Sequence, residues 1–324
     1  LYAGVQGLAG TPQPPSLALP SVAVASIPIN GSQSSYYVTA NNLATINGEG
    51  TYANIHLYPQ TEVDLPSWGD ANGTLAAFYT IFSQVYNNKP QIITEWHPTL
   101  YAQPSYISLN ATWDSYWTPM FILRAYLTGF QRFYWFALFD FANEYLSGLF
   151  PRSGYDTPRQ AAYVVRAMYT LTGDSGADQL TFTTGSLDYN ISGLPGPISA
   201  GADNTGGQHE LFQNSSGHFF LYVWNAQRNP GGSGNLATVT FISPIQRATL
   251  YRISDSSTPS GPSTPLQSIS SSSLSWTLDA NVYLIVITPT SSGSTGSVIT
   301  TPITEYPVHP SGIPCVVLLS IFIK

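Results

Sequence analysis

Glu95 closes a β-branched apolar run, Gln91-Ile92-Ile93-Thr94-Glu95-Trp96-His97, that ends abruptly in a carboxylate. Roughly forty residues upstream, Tyr52-Ala53-Asn54-Ile55-His56-Leu57-Tyr58-Pro59 ends in a His and a Tyr. Roughly forty downstream, Phe130 to Asp140 is an aromatic run containing Trp135. A carboxylate with hydroxyl and imidazole neighbours is equipped for nucleophilic attack or proton transfer. The same types also suit a metal, with Glu95, His56 and His97 as ligands. No short-spaced His pair supports that reading, and no cofactor is expected. There is no G-x-S-x-G elbow, phosphate loop or dinucleotide fingerprint.

The elements that must hold these residues alternate strand and helix over residues 1–174. Strands are expected at Ser16–Ser26, Tyr52–Tyr58, Pro90–Thr94 and along the aromatic run. Between them, Ser35–Ile46 reads as a helix. A second helix, capped by Thr74, carries Leu75, Phe78, Tyr79, Phe82, Val85 and Tyr86 at helical spacing. A third is expected from Thr112 as cap to Thr128, with Pro119 inside and Gly129 ending it. A fourth has Thr157 as cap, Pro158 in the first turn and Gly173 after the end. Successive β/α units imply a parallel sheet, and polar groups at its carboxyl edge are where such enzymes keep their chemistry.

After Asp174 the pattern shortens to alternating strands: Leu180–Thr184, Leu187–Ile191, His209–Gln213, His218–Trp224, Leu236–Ile242, Arg247–Ile253, Leu274–Leu278 and Val282–Thr288. These predict an antiparallel β-sandwich over residues 175–289. Residues 290–324 form a Ser/Thr/Pro-rich tail with a short apolar end, about half the length that spans a bilayer.

Composition narrows the function. Only 8% of the 324 residues are charged, net −7, with a pI near 5.0. No basic stripe exists to displace counterions, which excludes a nucleic-acid backbone as partner. A neutral surface rich in Ser, Thr, Asn, Gly and Pro suits polyhydroxyl ligands and an extracellular setting, secreted or cell-surface. Cys315 is the only cysteine, so no intrachain disulfide forms. Sequons begin at Asn30, Asn72, Asn110, Asn190 and Asn214, five candidate N-glycan positions.

In this order the motifs resemble the C-terminal half of a clan A retaining glycoside hydrolase, family 39-like. Asn54-Ile55-His56-Leu57-Tyr58-Pro59 resembles its sixth barrel strand, Ile93-Thr94-Glu95-Trp96 its seventh and Tyr134 to Asp140 its eighth. Gly148-Leu149-Phe150 and Thr157 to Tyr163 resemble the approach to the last barrel helix. The implied fold is α/β plus all-β: a partial (β/α)8 TIM barrel, about strands 5–8, followed by an antiparallel β-sandwich. The resemblance implies Glu95 as nucleophile, His56 and Tyr58 as its hydrogen-bond donors, and Trp135 stacked on the sugar. Trp96 and His97 would line the same cleft. His56 and Trp135 equally suit plain packing. Asp140 and Glu144 suit caps, and Arg132 suits the bottom of the barrel.

A retaining hydrolase needs a second carboxyl about 5–5.5 Å from the first. In this clan it follows an Asn on the fourth strand, and no such Asn-Glu lies near the start of this sequence. The acid/base half is therefore expected to be missing, or supplied by a partner chain completing the barrel. The competing expectation is a non-catalytic carbohydrate-binding or structural surface glycoprotein that keeps an eroded barrel.

Overall fold

The computed structural model describes residues 22–24, 52–57, 75, 79–80, 83, 88–96, 104–135, 139, 148–151, 157–174, 182–195, 207–225, 234–253, 264–279 and 281–290. The first elements are β1 (Val22–Val24), β2 (Ala53–Leu57), β3 (Gln91–Trp96), α1 (Pro104–Thr128), β4 (Arg132–Trp135) and α2 (Gln160–Thr172). Leu75, Tyr79, Thr80 and Ser83 are also helical. Then come β5 (Tyr189–Ser192), β6 (Gly207–Gln213), β7 (Phe219–Asn225), β8 (Asn235–Phe241), β9 (Ile245–Arg252), β10 (Gln267–Ile269), β11 (Ser273–Leu278) and β12 (Tyr283–Pro289). The expected helix at Ser35–Ile46, Asp140, Glu144, the sequons at Asn30 and Asn72, and the tail beyond Thr290 lie outside the described residues.

The first four strands form one sheet in the order β1-β2-β3-β4, every neighbouring pair parallel. Gln91 ties the sheet to the preceding helical segment: its side-chain amide donates to the Tyr79 carbonyl at 2.8 Å and to Ser83 Oγ at 2.7 Å.

α1 begins at Pro104, well before the expected start at Thr112. Proline's fixed φ and missing N–H cost nothing in a first helical turn, so the helix extends back to it and Thr112 falls inside. Its end matches expectation. Gly129 adopts φ 118°, its N–H donates to Tyr126 at 2.9 Å, and the Phe130 N–H reaches back to Ala125 at 3.1 Å. This paired closure needs a left-handed residue, and a Cβ there would meet the Tyr79 ring at 2.7 Å.

α2 departs more. Thr157 is not its cap; the cap position is Arg159, without a side-chain cap bond. The Arg159 N–H donates to the Leu149 carbonyl at 2.8 Å, which holds this residue extended and delays the first helical turn to Gln160. Thr128 and Thr172 each turn a hydroxyl back onto the carbonyl four residues earlier, Arg124 and Met168.

The remaining strands make two antiparallel sheets, β10-β9-β12-β7-β6 and β11-β8-β5, packed face to face. All but one of the strands expected here form. Leu180–Thr184 makes none at its described residues 182–184, while Gln267–Ile269 joins the edge of β9 unannounced. β7 is buried along its whole length. Phe219, Leu221 and Val223 face the second sheet, and Phe220, Tyr222 and Trp224 face the helices.

That second face shares one core with Val164, Val165 and Met168 of α2, with Met120 to Leu123 of α1, and with Ile93 and Trp96 of β3. The Arg124 guanidinium lies 5.6 Å over the Trp224 ring, and Tyr126 meets Phe212 edge-on at 5.6 Å. Asp174, just past α2, accepts from the Ser215 N–H at 2.7 Å and from its hydroxyl at 2.6 Å, fastening the β6–β7 turn.

Glu210 on β6 pairs with Tyr222 and alternates with Leu211, so it faces the helix side beside Phe212. Burial pushes its carboxyl up to about 7 from 4.5. The native state therefore favours the protonated form. Its stabilising effect is complete below pH 4.5 and is lost as pH rises through 7. Glu210→Gln should flatten that fall, gaining about 1–3 kcal/mol relative to the wild type at pH 8. Urea melts at pH 5 and pH 8 check this; parallel shifts in both proteins would assign the pH dependence elsewhere.

Candidate active site

Ile93 and Trp96 are both buried in the core that contains Phe121 of α1. Residues three apart in a regular strand point to opposite faces. The registers supply the reason they do not. Along β2, Ile55 pairs with Ile93 and the next residue, His56, pairs with Glu95, skipping Thr94. Along β4, Phe133 pairs with Ile93 and Trp135 with Trp96, so three steps of β3 match two of β4. β3 therefore carries one extra residue against both neighbours, a β-bulge, which is rare in parallel sheets and frequent beside active sites.

The bulge places Thr94 and Glu95 together on the face away from α1. Thr94 Oγ1 donates a hydrogen bond to Asn54 Oδ1 on β2. Asn54 is only 8% exposed. Leaving its carbonyl unpaired would cost about 1–3 kcal/mol. Glu95 is half-buried, one residue from the carboxyl end of β3, and His56 stands opposite it in backbone register. On β4, Phe133 belongs to the helix-side core, so Arg132 and Tyr134 alternate onto the Glu95 face. Arg132 lies at the far end of its strand, 3.4 Å from Tyr52 Oη and 5.1 Å over that ring, at the bottom of the sheet as the sequence reading has it.

Among the sequence-derived site residues, Glu95 and His56 come together in register. Tyr58 and His97 lie outside the described residues. Trp96 was expected on a cleft wall but is 1% exposed. Its ring stacks on Phe121 at 4.1 Å and 17°. The bulge turns it to the helices, where burying an indole is most favourable. Trp135 pairs with Trp96, meets it edge-on at 4.8 Å, and packs against the same core. Sequence reasoning missed Asn54, Thr94 and Tyr134. The signal for the first two was a polar pair, Thr94-Glu95, between apolar residues three apart. For Tyr134 it was simple alternation from Phe133.

A carboxylate at the carboxyl end of a parallel sheet, flanked by a Tyr-bearing strand and a His-bearing strand, is placed to attack an electrophilic carbon or to exchange a proton.

No protein-family model and no characterised protein sequence matches the chain. Solved structures do. A glucosidase from Croceicoccus marinus aligns at TM-score 0.51 and 13% identity, covering 90% of this chain and 64% of that one. A family 44 xyloglucanase from Paenibacillus polymyxa aligns at TM-score 0.40 and 11% identity, covering 78% and 50%. A family 39 glycoside hydrolase from Bacteroides cellulosilyticus aligns at TM-score 0.43 and 12% identity, covering 78% and 47%. The chain thus spans less than two thirds of the length of these neighbours. The likeness to the first is one of fold: the architecture is glycosidase-like.

Because Trp96 fills the space between β3 and α1, Trp96→Ala should destabilise the protein by about 3–5 kcal/mol, and Trp135→Ala by clearly less. Denaturant midpoints compare the two. An unmoved midpoint for Trp96→Ala would contradict the packing role.

Proposed function

We propose that this chain carries the nucleophile of a retaining glycoside hydrolase acting on β-linked sugars. The observation that carries the reading is the bulged Glu95, turned away from the helices at the carboxyl end of a parallel sheet. The glycosidase-like fold supports it.

In this reading β1 to β4 are strands five to eight of a (β/α)8 barrel within residues 1–174, closed by further strands of this or another polypeptide. Residues 175–289 are a β-sandwich that braces α1 and α2, and residues 290–324 are a tail. Glu95 attacks the anomeric carbon and forms a glycosyl ester as the leaving oxygen departs. Water then releases the sugar. A nucleophilic carboxylate must stay ionised, and His56 and Tyr58 are the donors that would favour its charge, with Tyr134 a third on the next strand. The general acid is a second carboxyl from the rest of the barrel. The sparse charge of the chain favours secretion, and Asn190, exposed on β5, is the described sequon most open to a glycan.

An activated substrate tests Glu95 without the acid, because dinitrophenolate departs unprotonated. Wild-type protein should release it from dinitrophenyl β-glucoside or β-xyloside. Glu95→Gly should lower turnover on the order of 10³-fold or more. Azide should restore release and yield a glycosyl azide of inverted configuration. Wild-type turnover in Glu95→Gly, or none in the wild type, would reject the reading.

A further inference from the structure

We infer that Thr94 and Asn54 are positioning residues: their hydrogen bond holds the β3 bulge in the shape that aims Glu95. The inference rests on the reading of Glu95 as nucleophile.

The core does not require the extra residue. A strand lacking Thr94 would keep Ile93 and Trp96 on the helix face with Glu95 between them on the other. What the insertion adds is a hydroxyl beside the carboxylate, on the same face. That hydroxyl is bonded across the ladder to a buried amide on β2, two residues before the one in register with Glu95. Bulges leave a residue out of the ladder and are otherwise soft, so a side-chain lock is what turns a local irregularity into a fixed angle. A reactive carboxylate gains most from such fixing, because attack demands near-ångström placement.

Thr94→Val preserves shape and strand preference while deleting the donor; Thr94→Ser restores it. The probes are dinitrophenyl 2-deoxy-2-fluoro-β-glucoside and its xylose counterpart. The Glu95 carboxylate oxygen bonds to C1, and the C1–O electron pair leaves with dinitrophenolate, so no proton donor is needed. Peptide mass spectrometry locates the ester.

Wild-type protein should be labelled at Glu95. In Thr94→Val the maximal inactivation rate should fall about tenfold or more with little change in the half-saturating concentration, and Thr94→Ser should recover it. The near-ultraviolet circular dichroism of the Trp96–Trp135 pair should stay unchanged in both. Equal rates in wild type and Thr94→Val would overturn the positioning role and leave the proposed function standing. An unlabelled Glu95 in the wild type would overturn both. If Thr94→Val loses the tryptophan signal, Asn54→Ala takes its place, and a wild-type rate there would overturn the positioning role.

Discussion

Ile93 and Trp96 must reach the same helix from positions three apart on one strand, and the site depends on how that conflict is resolved. Regular alternation through Ile93-Thr94-Glu95-Trp96 would press Glu95 against Phe121 and push Trp96 to the other face. An unpaired buried carboxylate costs several kcal/mol, and an exposed indole forfeits another ~2–3. The bulge removes both penalties for the loss of about one ladder hydrogen bond, worth ~1 kcal/mol. It is the cheaper solution by a clear margin, and it leaves a hydroxyl and a carboxylate side by side at the carboxyl end of the sheet.

That resolution relies on α1 as the wall against which Trp96 packs. From Pro119 to Ala125 every residue of α1 is buried. A helix stretch buried all round lies in the middle of a structure. One side receives Trp96 from β3 and the other receives Trp224 and Phe212 from the antiparallel sheets. β7 is correspondingly buried on both faces, linking the core between the antiparallel sheets to the core beneath the site. The core beneath Glu95 is thus completed, through α1, by strands more than a hundred residues later in the chain. Met168 of α2 extends the same contact, which is why the antiparallel sheets act as a brace on the helix layer.

What could be read in advance was local. β11 shows itself through Leu274, Trp276 and Leu278 alternating with small polar residues, and α1 ends where Gly129 says it should. The start of α1 is not legible in this way, because Thr112 is a good cap in isolation and nothing nearby announces that Pro104 is a better first residue. The start of α2 is hidden for a different reason: the bond that holds Arg159 extended comes from Leu149. β10 escaped because Gln267-Ser268-Ile269 is a short edge segment with no apolar stripe. The facing of Trp96 was not local either. It depends on pairing with β2 and β4 together, and a strand read alone gives no sign of which residue the neighbours will skip.

The same geometry bears on the proposed reading. Retention needs a second carboxyl about 5–5.5 Å from the first. Among the described residues the other acids are Asp114 on α1, Asp174 at the end of α2, Asp188 before β5, Glu210 on β6 and Asp279 after β11. Asp174 is engaged by Ser215, and Asp279 by Arg252, Asn281 and Tyr283. Glu210 belongs to the face packed on the helices. None stands on the parallel sheet, whose carboxyl end carries Glu95 alone among them. Among the described residues β1 and β4 are the outer strands of that sheet. In the proposed reading, the carboxyl that shares a substrate with Glu95 is none of these described acids, and it must share the face that carries Thr94 and Glu95.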